Sequence, residues 1–152
     1  MVPRGTGHPS ASDTPGRTAQ RTFRFSRETL QRLDERAREL SESGNALAQR
    51  LLDEALRLER HPLVHFRAGA AGLRRPALAG TRLYIWQVLD VVRAGAGVDD
   101  AAEYLGLSDG QVRAAVAYYA DNTDEVDHHA QEERDFARRE QDRWERAQRV
   151  LG

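Results

Sequence analysis

The sequence predicts a mostly α-helical chain with a few short strands. Three observations carry that expectation. Apolar residues recur at helical spacing in several separate stretches, glycines and prolines fall between those stretches, and the only two-residue alternation is confined to short pieces. The chain has 152 residues, 39% hydrophobic and 31% charged, with a mean hydropathy of -0.71. Such a composition supports a modest core. It has no cysteine, which excludes a disulfide framework, a thiol nucleophile and cysteine-based metal sites. No apolar run approaches the roughly 18 residues that span a bilayer, so no membrane partner and a cytoplasmic location are expected.

The 23 basic residues are all arginine and nearly cancel the 24 acids, leaving a net charge of -1. Their distribution along the chain is uneven. Residues 1–27 carry five arginines against one acid, residues 121–135 carry seven acids against one arginine, and residues 136–152 carry five arginines against three acids. A basic N-terminus points to phosphate and an acidic neck to a different partner.

Residues 1–19 are rich in Gly, Pro, Ser and Thr and are expected to form a disordered arm. In Arg21-Thr-Phe-Arg-Phe25, Phe23 and Phe25 alternate with Thr22 and Arg24 at the period of a strand. Five residues cannot stand alone as a sheet, so this strand needs a second copy or a distant segment. From Ser26, a plausible N-cap, Leu30, Leu33, Ala37 and Leu40 follow one helical stripe. Residues 41–45 break it. A second helix then shows a wide apolar face (Ala46, Leu47, Leu51, Leu52, Ala55, Leu56, Leu58) and stops at His61-Pro62.

Strand, helix, turn and helix within residues 20–61 resemble the ribbon-helix-helix DNA-binding fold. The resemblance implies a homodimer joined through an antiparallel ribbon that enters the major groove of operator DNA. Phe23 and Phe25 would face inward, and Gln20, Thr22 and Arg24 outward. Those three types suit groove readout: Gln bonds adenine, Arg grips guanine and Thr meets the thymine methyl. The start of the second helix, Ser43, Gly44 and Asn45, would hold a backbone phosphate through free N–H groups and the helix dipole.

Residues 62–125 read as a small helix-turn-helix-like domain. Short strands are expected at Leu63–Phe66 and Leu83–Ile85. Helices are expected over Trp86–Ala94 (ended by Gly95 and Gly97), over Asp99–Leu105 (ended by Gly106), and from the N-cap Ser108 with Val112, Ala115, Val116 and Tyr119 inward. Gly80-Thr81-Arg82, the preceding Pro76 and the closing Tyr118-Tyr119-Ala120 resemble the signature of the domain-of-unknown-function 433 family, which implies a proline-containing strand before the Gly-Thr-Arg. Tyr84 departs from it, standing where that family usually has proline, and so does Arg74-Arg75, which replaces Gly-Lys. Arg82 is expected to pair with an acid such as Asp90. Proteins with this domain are often antitoxins encoded beside a PIN-type ribonuclease toxin, so the resemblance implies such a toxin as partner. The outer face of the third helix (Gln111, Arg113, Ala117, near Asp109 and Asp121) is weakly charged, and packing or dimerisation suits it better than groove insertion.

Residues 126–152 lack proline, and no glycine precedes Gly152, so a helical, partner-binding tail is expected. Among residues 127–151 the apolar ones are few: Phe136, Trp144, Val150 and Leu151, with Ala130, Ala137 and Ala147. That seam is too narrow to dock firmly on its own domain, which points to a partner's groove. Phe136, Arg138, Arg139, Arg143, Trp144 and Leu151 are the candidate contacts, with Arg134 and Arg146 as further guanidinium donors to a nuclease's metal-binding carboxylates. His128 and His129 diverge by about 100° on a helix, so no metal site is expected. No glycine-rich phosphate loop and no nucleophile with a base are evident; neither enzymatic activity nor a cofactor is expected. The leading expectation is a type II antitoxin that autorepresses its operon. The rivals are a free-standing transcription regulator and a scaffold that binds no DNA.

Overall fold

The structure is a computed structural model and describes residues 19–69 and 73–151. The chain divides into two units, residues 1–44 and 45–152. That division falls within the segment read above as one ribbon-helix-helix domain.

In the first unit, α1 spans Arg27–Leu40. Ser26 caps it from an extended conformation, its Oγ accepting the Thr29 N–H at 3.1 Å. Glu28 in the first turn and Arg38 in the last suit the helix dipole. The helix ends where Ser41 turns left-handed (φ 56°) and donates its N–H to the carbonyls of Ala37 and Arg38. Of the predicted stripe, Ala37 is buried, Leu33 half-buried, and Leu30 and Leu40 remain exposed.

Within this single chain residues 21–25 form no strand. Among the described residues of this chain no segment pairs with them, and a strand is defined by such pairing. Phe23 and Phe25 are accordingly not turned inward: they are 55% and 53% exposed, their rings 6.2 Å apart. Residues 1–18 of the expected arm lie outside the described residues.

The second unit opens with α2 (Gly44–Arg60), which begins one residue before the unit boundary. Leu47 is buried, whereas Leu51, Leu52 and Leu56 of its wide apolar face are exposed. A hairpin follows, β1 (Val64–Ala68) antiparallel to β2 (Arg74–Leu78), with Phe66 opposite Pro76. The second strand therefore lies earlier than Leu83–Ile85. Pro76 lacks an N–H but is tolerated in a two-stranded sheet, where each strand has a free edge. Of the Leu83–Ile85 run, Tyr84 makes a single bridge to Ala77, while Ile85 starts α3.

The Gly80-Thr81-Arg82 triplet is the turn between them. Gly80 has φ +74°, which favours glycine, and the Thr81 hydroxyl donates to Leu78 O (3.0 Å) and accepts from Leu83 N (3.0 Å). α3 (Ile85–Val91) is then set off by Gln87, whose side-chain oxygen accepts the Tyr84 N–H at 2.9 Å. A π-helical turn, Val92–Ala96, breaks at Gly95 (φ 96°, ψ 6°) and leads into α4 (Gly97–Leu105). Gly106 (φ +66°) ends α4, and Ser108 opens α5 (Asp109–Asp121) with a reciprocal capping box: Ser108 Oγ accepts Gln111 N, and Gln111 Oε1 accepts Ser108 N. After Asn122, α6 runs unbroken from Thr123 to Leu151.

Val64, Phe66, Leu78, Ile85, Val88, Leu89, Ala101, Ala102, Val112, Ala115, Tyr118 and Val126 make one core, drawn from the hairpin and from α3 to α6. Burial of an aliphatic side chain of this size contributes about 1.5–3 kcal/mol, so α6 gains real adhesion from Val126. Among the described residues, no helix is long and apolar enough to cross a membrane.

Candidate functional site

The first third of α6 is held to the body by two buried side chains and a row of ion pairs. Val126 and Ala130 are buried, and a row of ion pairs surrounds them. Arg57 of α2 donates to Glu125 at 2.5 Å and to the Tyr118 hydroxyl at 3.3 Å, and Tyr118 in turn donates to Glu125 at 2.9 Å. Burial, with the Glu125 carboxylate beside it, pushes the Tyr118 phenol well above its ordinary range, so it stays protonated. Burial opposes the charge on Arg57, but Tyr118 and Glu125 more than offset it and strengthen its hold on the proton.

Further along, Arg75 of β2, its side chain almost wholly buried, grips Glu133 and also Glu132 (3.2 Å). Arg93 reaches Asp127 (3.1 Å) and the Tyr119 hydroxyl, and Arg134 reaches Asp90 of α3 (2.8 Å). Asp121 at the end of α5 meets His61 (3.1 Å) and Arg60 (3.4 Å). The acidic neck thus finds its counter-charges in this chain's own Arg57, Arg60, Arg75 and Arg93. The expectation that the tail docks too weakly on its own domain fails for residues 126–134, because ion pairs supply what the sparse apolar residues do not.

Two particular assignments are corrected by the same contacts. Asp90 takes Arg134, not Arg82; the Arg82 carbonyl instead accepts from Arg67 at 2.9 Å. Arg134 is therefore committed within the chain. Arg74, the other departure from the family pattern, forms a two-pronged pair with Glu54 of α2 (2.7 and 2.9 Å) and also donates to Phe66 O. Arg74-Arg75 therefore binds α2 and α6.

Beyond residue 135 the helix leaves the body. Phe136, Arg138, Arg139, Arg143, Trp144 and Leu151, the predicted partner contacts, are all exposed, with Trp144 at 59%. At about 100° per residue, Phe136, Trp144, Ala147 and Leu151 share one face. Arg139, Arg143 and Arg146 border that face, whereas Arg138 lies across the helix. Arg143 bonds Glu140 at 3.0 Å on the surface.

Of the predicted DNA contacts, Gln20, Thr22 and Arg24 are exposed ahead of α1, Ser43 directly precedes α2, and Gly44 and Asn45 open it, in a first turn that carries no acid. On α5, Gln111 is engaged in its capping box and Asp121 in ion pairs, so only Arg113 and Ala117 remain of the outer face. His129 is half-buried and His128 exposed; among the described residues no group of three or more His, Asp or Glu is placed to hold a metal ion.

No curated protein and no solved structure matches the chain. Residues 73–119, which hold β2, the Gly80 turn, α3, α4 and most of α5, match the family model described as protein of unknown function DUF433, and this segment is similar to that family.

Proposed function

We propose that this chain is the antitoxin of a type II toxin–antitoxin pair. In this reading residues 20–61 of two copies bind and repress their own operator as a ribbon-helix-helix, and the distal half of α6 neutralises a PIN-type ribonuclease. The observation that carries the proposal is the division of α6: a firmly held base, and an exposed continuation that sets Phe136, Trp144 and Leu151 beside Arg139, Arg143 and Arg146. Fifteen or so residues of unpartnered helix are marginal in water, and Trp with Arg are the side chains that most often dominate binding interfaces. A planar guanidinium bonds a carboxylate in two-pronged fashion, so an arginine entering a nuclease's metal-binding acids would occupy them and exclude metal.

For the DNA-binding half, support comes from Gln20, Thr22 and Arg24, exposed and alternating with Phe23 and Phe25. Pairing with a second copy would give those phenylalanines a surface to cover. The exposed leucines of α2 offer a further apolar surface to a second copy. The test is a mobility shift on the DNA upstream of the coding sequence. Arg24→Ala should weaken specific binding by about five- to 150-fold, the equivalent of about 1–3 kcal/mol for one two-pronged base contact, without breaking the dimer. Unchanged shifts would overturn the ribbon assignment. Failure of any form to bind DNA, with the toxin still neutralised, would leave only the partner-binding half.

A further inference from the structure

Between the end of α3 and the outer face of α4 lies an open groove of about 710 Å³, lined by Asp90, Val91, Ala94, Asp100, Glu103 and Tyr104. Its volume lies within the range of side-chain and ligand pockets, about 300–1,000 Å³. The floor is apolar and the rim carries three carboxylates. Tyr104 is 79% exposed, an unusual position for an aromatic ring without a partner. Asp90 already takes a guanidinium from α6, that of Arg134, whereas Asp100 and Glu103 have no ion pair among the described residues. Such a groove suits an aromatic side chain flanked by arginines, with the face of Tyr104 available for a cation.

The distal half of α6 carries that set, Trp144 between Arg143 and Arg146 with Arg139 one turn back, and none of these touches the body of its own chain. It cannot reach its own groove. α6 is unbroken, so Trp144 stands ten residues, about 15 Å, beyond Arg134 at the groove's rim.

We infer that the groove between α3 and α4 receives the distal half of α6 from a second copy of this chain. Two α6 helices lying antiparallel would bring Trp144 of each beside Arg134 of the other, so both grooves fill at once and the contact closes on a two-fold axis. The inference uses neither residues 20–25 nor a toxin, but it engages the same distal half of α6 that the antitoxin reading gives to the nuclease, which would have to displace the second copy.

The experiment places a photo-crosslinking amino acid at position 104 of the full chain and mixes unlabelled with nitrogen-15-labelled copies before irradiation. The expected product is a mixed-isotope cross-link from position 104 to residues 136–151. Its yield should fall at least fivefold in Asp100→Arg/Glu103→Arg and in Arg139→Glu/Arg143→Glu. Mixing those two variants should restore it, since one brings an intact groove and the other an intact tail. All four positions are exposed, so both variants should keep the wild-type circular dichroism spectrum. Cross-links confined to single copies, cross-links to any other segment, or yields indifferent to the charge reversals would each overturn the inference. Because the cross-link reports only groove and tail, its failure leaves the DNA-binding reading standing.

Discussion

Glu125→Ala tests whether ion pairs rather than apolar contact hold the base of α6. The substitution removes the acceptor shared by Arg57 and Tyr118, leaving a phenol with no acceptor in the core and a guanidinium less than one-third exposed. Breaking a fully buried pair costs about 3–5 kcal/mol, and losing hydrogen bonds to a charged group about 1.5–3 kcal/mol. Arg57 keeps Asp53 at 2.9 Å, so the lower figures apply and a loss of about 2–3 kcal/mol is expected. For a chain of this length that corresponds to a fall of roughly 5–10 °C in Tm. Asp53→Ala is the internal control: its carboxylate is 59% exposed, and exposed pairs are worth about 0–1 kcal/mol. Urea unfolding followed by circular dichroism measures both. Equal losses for Glu125→Ala and Asp53→Ala would show that the Arg57–Tyr118–Glu125 cluster adds nothing beyond a surface pair, and the reasoning would be refuted.

Three further outcomes are expected. Gly95→Ala should destabilise by about 1–2 kcal/mol, because φ +96° strains any side chain even though a Cβ meets nothing within 4 Å; Gly110→Ala, in the first turn of α5 with only an ordinary contact to Ser108 Oγ, should be neutral or stabilise by up to about 1 kcal/mol. Thermal melts that move in the same direction would contradict this. Burial holds the pKa of His129 below its ordinary 6.5, with Arg75 and His128 adding to the effect against the opposing pull of Glu125 and Glu132. The fold therefore prefers the neutral ring: its contribution is fully present above pH 6.5 and is lost as pH falls below it. His129→Asn should flatten stability against pH in that window, and an unchanged slope would exclude His129 as its source. Removing residues 137–152 should change the unfolding free energy of the dilute monomer by no more than about 0.5 kcal/mol, since every described side chain there is exposed within one chain; a larger loss would mean the distal helix packs on its own body.

Local signals in the sequence led to much of the middle segment. Ser108 and Gln111 three residues apart, Gly106 and the Gly95/Gly97 pair each mark a helix end by chemistry that needs no distant partner, and each occupies that place in the structure. Val112 and Ala115 recur at helical spacing and are buried; Tyr118, fully buried, was missed because Tyr119 beside it fits the same stripe. β2 left no periodic trace, because Arg74, Arg75 and Pro76 are residues that single-strand patterns count against a strand; only the family resemblance implied a proline-containing strand there, and Glu54, Glu132 and Glu133 hold its arginines.

The docking of α6 left no periodic trace. Its partners stand tens of residues away, Arg57 being 68 positions before Glu125, and complementary charge says nothing about which acid meets which arginine. A signal was nonetheless present: the excess of acid in residues 121–135 has its complement in the arginines of residues 57–93. Residues 21–25 show the opposite case. Their alternation is plain, but a ribbon is a property of two strands, and within one chain the same residues remain irregular.

Hydrogen exchange along α6, with and without the proposed PIN-type nuclease partner, tests the central claim most directly. In the free protein, diluted to the monomer, the amides of residues 126–134 should be protected and those of residues 138–150 should exchange fast. With the nuclease bound, residues 138–150 should gain protection of at least a hundredfold while the base of the helix is unchanged. A bound nuclease that leaves residues 138–150 as they were would contradict the account.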